Sequence, residues 1–272
     1  MLTALLRSLR TGVVTVRYPE EPAPVPARFR GPPRARAGAV FDALPGAEVC
    51  PTGAVAVAGG AGAPRREIDL ARCIRCGRCA EGDLAAAVEL LPEVELAARS
   101  RASLVAVVER GADGRIVPLP PPPPPAEVSE VIRRTLGRSL HLRHLDAGSC
   151  NACDWELTAL LNPVYDVRRL GVDFVASPRH ADGVVVTGPV TRNLEAAVRR
   201  TWEAVPEPRV VIAVGACASS GGIVGRSYAS AGGVGEVLPV DVLVPGCPPR
   251  PEAVIYGILL AVGRVAAERT AR

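Results

Sequence analysis

Apolar residues in the second half of the chain fall into short β-branched runs separated by stretches of helical period. SLHLRHL (139–145), Val172–Ala176, Gly183–Thr187, Val210–Val214 and Asp241–Val244 predict five strands. Between the third and fourth, Leu194, Ala197, Val198 and Trp202 recur at i, i+3, i+4 and i+8, the stripe of an amphipathic helix. Pro251 suits a first helical turn, and the EAVIYGILLAVGRV that follows is apolar on nearly every side, which predicts a buried helix. Strands alternating with helices imply a doubly wound parallel sheet, whose ligands sit outside the carboxyl ends of its strands. At the start, Leu2, Leu5, Leu6 and Leu9 take helical spacing, which predicts a short amphipathic helix against a membrane surface or a domain. Arg7 and Arg10 break that stretch and no small-residue cleavage site follows, so it does not read as a secretory signal. Nowhere do 18 apolar residues run together, so no spanning helix is expected.

Proline divides the pattern. Pro118-Leu119-Pro120 leads into an unbroken run to Pro125, a sequence that favours extended polyproline II and reads as a stiff spacer. The expected organisation is a domain over 1–115, a proline-rich linker over 116–127 and a domain over 128–272. AVAVAGGAGAP (54–64) reads as a low-complexity turn region.

Composition adds exclusions. A hydrophobic share of 48% indicates folded protein, and an aromatic share of 3% means cores of Val, Ala and Leu. All 32 basic residues are Arg, and the net charge is only +4. No basic face with interleaved aromatics is visible, so nucleic acid is not an expected partner.

Cysteine supplies the chemistry. The eight lie at 50, 73, 76, 79, 150, 153, 217 and 247, two groups of four. CIRCGRC places Cys73, Cys76 and Cys79 on a three-residue beat that suits a 4Fe–4S cube better than the paired spacings of zinc. The usual run would put a fourth cysteine at 83 followed by proline, but Asp83 and Leu84 stand there. Cys50-Pro51 has the form of the last cysteine of an earlier run, whose other three positions are Val40, Ala43 and Gly46. One complete ligand set therefore survives, Cys50, Cys73, Cys76 and Cys79, in what resembles an α+β bacterial ferredoxin domain reduced to a single cluster. In the second half Cys150 and Cys153 follow the first predicted strand, Cys217 the fourth and Cys247 the fifth, while Thr187-Gly188-Pro189 follows the third. These four cysteines should converge at one edge of a flavodoxin-like sheet.

GSCNACD (148–154), GACA (215–218) and PGCPPRP (245–251), with ALLNPVYD, FVASPRHAD and VTGPVTRN, strongly resemble a known family over about residues 138–266. It is the small subunit of energy-converting, formate hydrogenlyase-type nickel–iron hydrogenases, itself similar to the B subunit of NADH–quinone oxidoreductase. The quinone-enzyme subunit carries adjacent cysteines at the first ligand position. Here Cys150 and Cys153 stand two residues apart, as in the hydrogenases. The first half resembles the polyferredoxin partner of the same complexes.

The resemblance implies a second 4Fe–4S cluster on Cys150, Cys153, Cys217 and Cys247, hence two in all. It also implies a hydrogenase-type large subunit and membrane subunits as partners, quinone at the large-subunit interface, and a peripheral place on the cytoplasmic side of the membrane. Such a chain conducts electrons to the large subunit and does not turn over substrate by itself. Gly148, Gly215 and Gly246 are expected to let the backbone come close to the cluster and donate N–H hydrogen bonds to its sulfurs. Asp154 reads as a proton relay or a helix N-terminal acid, and Arg250 as a partner of the cluster, of a partner's carboxylate or of the helix start. Arg179-His180 reads as facing a pocket or the large subunit, or as structural; His141 and His144 are given no role. The alternatives are a subunit of a quinone-reducing or nickel-free related complex, and a zinc-stabilised structural module.

Overall fold

The computed structural model describes residues 2–58, 64–122, 128–137 and 139–265, without the side chains of residues 2, 4 and 5. Six α-helices and eleven strands are described. The N-terminal half holds β1 (Pro33–Ala35), β2 (Val55–Ala58), β3 (Arg65–Asp69), β4 (Val88–Leu90), β5 (Val105–Arg110) and β6 (Ile116–Pro118). β1 pairs antiparallel with β4, and β2-β3-β5-β6 form a four-stranded antiparallel sheet. Their core is small: Phe41, Leu44, Ile68, Val88, Val108 and Ile116, with Ala35 and Ala87 between them.

β7 (Leu140–Asp146), β8 (Val172–Phe174), β9 (Gly183–Thr187), β10 (Val210–Val214) and β11 (Val242–Val244) form the predicted parallel sheet, in the order β11-β10-β9-β7-β8. That is the flavodoxin-like order, and its direction of winding reverses between β7 and β9. β9 and β10 are buried at every position, as strands covered on both faces must be. α4 (Arg192–Glu203) carries the predicted stripe, though only Val198 is fully buried; Leu194 and Trp202 are partly covered and Ala197 is exposed.

α6 (Pro251–Ala261) is buried along its whole length. One side packs on β10 and β11, and the other is covered by the N-terminal half through Tyr18, Val94 and Ala97. Its unbroken apolar character follows from this double cover. Ala98 also makes a bridge to Leu243, with N–H···O bonds of 2.9 and 2.8 Å, which closes the open edge of β11. Upstream, the Val16 N–H donates to the Val164 carbonyl at 2.8 Å and Arg169 donates to the Tyr18 carbonyl at 2.6 Å. Residues 15–25 and 94–99 thus lie on the second half and not within the N-terminal sheets.

Three local features depart from the pattern reading. Val55–Ala58 of the expected turn region is a strand paired with β3, and residues 59–63 lie outside the described residues. Pro118 ends strand β6 opposite Val108, so the N-terminal sheet reaches into the proline run. An outer-strand position tolerates the missing N–H. α2 (Glu130–Leu136), capped by Ser129 Oγ accepting from Ile132 N, was not foreseen. α1 (Leu2–Thr11) is helical as expected, with Leu6 and Leu9 exposed.

A Cβ on Gly257 would stand 2.3 Å from Val244 Cγ2. Replacing glycine within a helix by alanine ordinarily gains about 1 kcal/mol, whereas overpacking a closed core costs about 1–3 kcal/mol. Here Gly257→Ala should be net destabilising by about 1 kcal/mol in chemical denaturation, because the sheet cannot recede from a helix covered on its other side.

Candidate metal centres

The carboxyl ends of β7, β10 and β11 carry the second cysteine group. Cys150 lies in the loop after β7 and Cys153 in the first turn of α3 (Ala152–Ala159). Cys217 lies in the short helix α5 (Ala216–Ser220) after β10, and Cys247 in the loop after β11. Two hydrogen bonds tie the last two loops together: Gly215 N donates to Val244 O at 2.8 Å and Ala216 N to Gly246 O at 2.7 Å. The four sulfurs lie within electrostatic reach of one another, since each of Cys153, Cys217 and Cys247 feels others of the set. Burial, then the neighbouring cysteines, push Cys153 up to about 12 and Cys217 and Cys247 above their ordinary value.

Glycine makes room for the sulfurs at two points. A Cβ on Gly215 would lie 2.5 Å from Cys153 Sγ, and one on Gly222 would lie 2.8 Å from Cys217 Sγ. Gly222 escaped the sequence reading because it stands five residues beyond its cysteine. The expected N–H donation needs correction at Gly148 and Gly215. The Gly148 N–H is committed to Asp146 Oδ1 at 3.0 Å, and that of Gly215 to Val244 O. A Cβ on Gly148 would strike Thr191, and one on Gly246 would strike Pro249, so these glycines serve loop packing.

Asp154, beside Cys153, joins three loops. It accepts from Thr187 Oγ1 at 2.7 Å and from Ser149 Oγ, and its Oδ1 lies 2.9 Å from His144 Nε2. Burial lowers the His144 pKa, opposed by the Asp154 carboxylate. His144, given no role from sequence, therefore orients Asp154, which also stands in the first turn of α3 where the helix dipole favours an acid. Arg250 pairs with Glu252 at 2.7 Å and donates to Pro24 O at 3.0 Å, within its own chain. Arg179 and His180 are exposed on a turn after β8, and His141 pairs with Asp182 at 3.3 Å.

The first cysteine group lines one cavity. Cys50, Cys73, Cys76 and Cys79 face it together with Pro33, Val49, Ile74 and Leu90. Asp83 is exposed and outside that lining. Cys50 accepts from Ala54 N at 3.2 Å and lies 3.6 Å from Thr52 Oγ1; Cys73 accepts from Arg75 N at 3.3 Å. Burial pushes Cys73 and Cys79 up to about 11, with the other thiols of the set adding to it. Cys50 moves the other way: burial raises it, but the hydrogen bonds from Thr52 and the following backbone outweigh burial. Among the described residues, no three His, Cys, Asp or Glu side chains gather closely enough to hold a single metal ion. Four thiols on one cavity, with Arg75 and Arg78 also on its wall, are the donor set that an iron–sulfur group takes.

The family model for the NADH ubiquinone oxidoreductase 20 Kd subunit matches residues 150–261. Formate hydrogenlyase subunit 7 of Escherichia coli is 40% identical over 154 residues, 57% of this chain and 60% of that one. The probable membrane-bound hydrogenase subunit mbhJ of Pyrococcus furiosus is 47% identical over 131 residues, 48% of this chain and 78% of its own length. The NADH-quinone oxidoreductase B subunit of Citrifermentans bemidjiense is 44% identical over 117 residues, 43% of this chain and 68% of that one. The chain belongs to this family. It spans less than two thirds of the formate hydrogenlyase subunit, and all three matches leave about half of this chain uncovered.

In the cluster-free chain the thiols should differ in reactivity. Cys153, pushed from 9.0 to about 12, has roughly a thousandfold less thiolate near pH 8 than an ordinary thiol. Iodoacetamide labelling followed by mass spectrometry should modify exposed Cys150 first and Cys73, Cys79 and Cys153 last.

Proposed function

We propose that this chain is the electron-transfer iron–sulfur subunit of a membrane-associated nickel–iron hydrogenase complex. It would hold one 4Fe–4S cluster on Cys50, Cys73, Cys76 and Cys79, and one on Cys150, Cys153, Cys217 and Cys247. The observation that carries this reading is the partition of all eight thiols into two groups of four, Cys50, Cys73, Cys76 and Cys79 on one cavity and Cys150, Cys153, Cys217 and Cys247 within electrostatic reach of one another. A bound cluster supplies one reversible electron at each site. The chain's own residues fix the sulfurs and set the surrounding charge. Four thiolates leave no open position for substrate, so turnover belongs to a partner. The first half acts, on this reading, as a ferredoxin-like donor domain reduced to one cluster.

The face around the second group supports a partner. Cys150 and Cys247 are exposed there, beside Trp155 at 73% and Ile223 at 65% exposure. Bare thiols and large apolar groups at a sheet edge suit docking to a large subunit that brings its active site within electron-transfer reach. The relative described as a membrane-bound hydrogenase subunit supports a place in a membrane complex, and on this reading the chain lies on its cytoplasmic side. The two-residue gap between Cys150 and Cys153 favours the hydrogenase. The quinone-oxidoreductase relative supports the second reading, electron delivery to quinone at the large-subunit interface without nickel.

Anaerobically purified chain should be brown and hold about eight iron atoms and eight acid-labile sulfides, two cubes. Cys73→Ser and Cys153→Ser should each lower the count to about four. Zinc without sulfide would overturn the reading. Nickel in the co-purified large subunit selects the hydrogenase, and bound quinone without nickel selects the second reading.

A further inference from the structure

Arg75 stands between the two cysteine groups and touches the machinery of both. Its N–H donates to Cys73 Sγ at 3.3 Å, within the first cavity. Its guanidinium Nη2 donates to the carbonyl of Pro245 at 3.2 Å, across 170 positions of sequence. Pro245 lies two residues before Cys247, and the next carbonyl, of Gly246, accepts from Ala216 beside Cys217. One side chain therefore joins the loop of one sulfur set to the paired loops of the other.

Two further observations mark the position as specific. Arg75 has φ of 55°, a left-handed conformation that costs a non-glycine residue stability unless the surroundings impose it. That conformation accompanies the N–H bond to Cys73. The guanidinium is half-buried, lies 5.9 Å from the ring of Phe29, and feels the charge of the Cys73 sulfur. Arg250 approaches the same ring at 5.6 Å, but its charge is met by Glu252. Among the described residues no carboxylate meets Arg75 in that way. A cation placed in low dielectric beside a sulfur set gains most when that set becomes more negative.

We infer that Arg75 is the positioning residue of the inter-site electron step: it fastens the Cys247 loop to the Cys73 loop and favours the reduced state of the Cys73 site. This rests on the two-cluster reading above. The step is a one-electron exchange: the Cys73 site is oxidised, the Cys247 site is reduced, and no bond breaks and no proton moves. The path through Arg75 runs from its backbone N–H, bonded to Cys73 Sγ, along one side chain to the guanidinium, bonded to the Pro245 carbonyl.

The test uses the full chain with Arg75→Gln and Arg75→Lys variants, each assayed first for iron and sulfide. If the wild type lacks sulfide, the two-cluster reading fails and this inference fails with it. With both sites filled, an EPR-monitored redox titration should show the reduced-to-oxidised ratio of the Cys73 site at fixed potential falling at least tenfold in Arg75→Gln. That corresponds to 59 mV for a one-electron couple. Arg75→Lys, which keeps the charge, should stay within threefold. An unchanged ratio in a fully loaded Arg75→Gln would overturn the inference while leaving the two clusters in place. Should Arg75→Gln fail to load, hydrogen exchange decides in the cluster-free chain. Amides of Gly246 and Cys247 should exchange at least tenfold faster than in wild type, and equal rates would overturn the fastening role.

Discussion

Crowding of thiols into two partly buried groups is the constraint on which the molecule depends. A thiol there is reluctant to ionise, and each neighbour of the same kind makes it more so, which is why Cys153 is pushed to about 12. Such an arrangement is a poor way to build a core and a good way to bind iron. Iron bound there would offset the charge of the thiolates that burial opposes, so assembly of the group would go with ionisation of its ligands. The glycines set against Cys153 and Cys217 show how little space separates backbone from sulfur.

The scaffold meets this constraint with rigidity. Loops at the carboxyl ends of β7, β10 and β11 rise from a sheet whose inner strands are buried on both faces, so their sulfurs inherit the sheet's fixed spacing. The N-terminal half is fastened to the same edge. Ala98 extends the sheet at β11, Ser220 Oγ donates to Ala71 O at 2.9 Å, and α6 is closed in between. Two sulfur sets carried on such an assembly keep a constant separation, as the proposed electron step between them would need.

Sequence pattern made the parallel half legible. Strands β9, β10 and β11 are short Val-rich runs, the loops carry Gly and Pro, and the order of cysteines against strands implied one edge. The N-terminal half was less readable because its strands are three to six residues long and its apolar core is small. Residues 54–64 looked featureless, yet pairing with β3 makes part of them a strand. His144 carried no signal, since its link to Asp154 joins residues ten apart only after β7 and α3 fold together. Gly215 was read for close approach and for N–H donation: it does give space to a sulfur, but its N–H serves the neighbouring strand.

The most direct measurement is a stoichiometric anaerobic titration with a strong one-electron reductant, followed by absorbance and EPR. The account requires the full chain to take up about two electrons, one per cube, and to develop two paramagnetic signals that broaden each other. Uptake of no electrons, or of one with a single unperturbed signal, would contradict it.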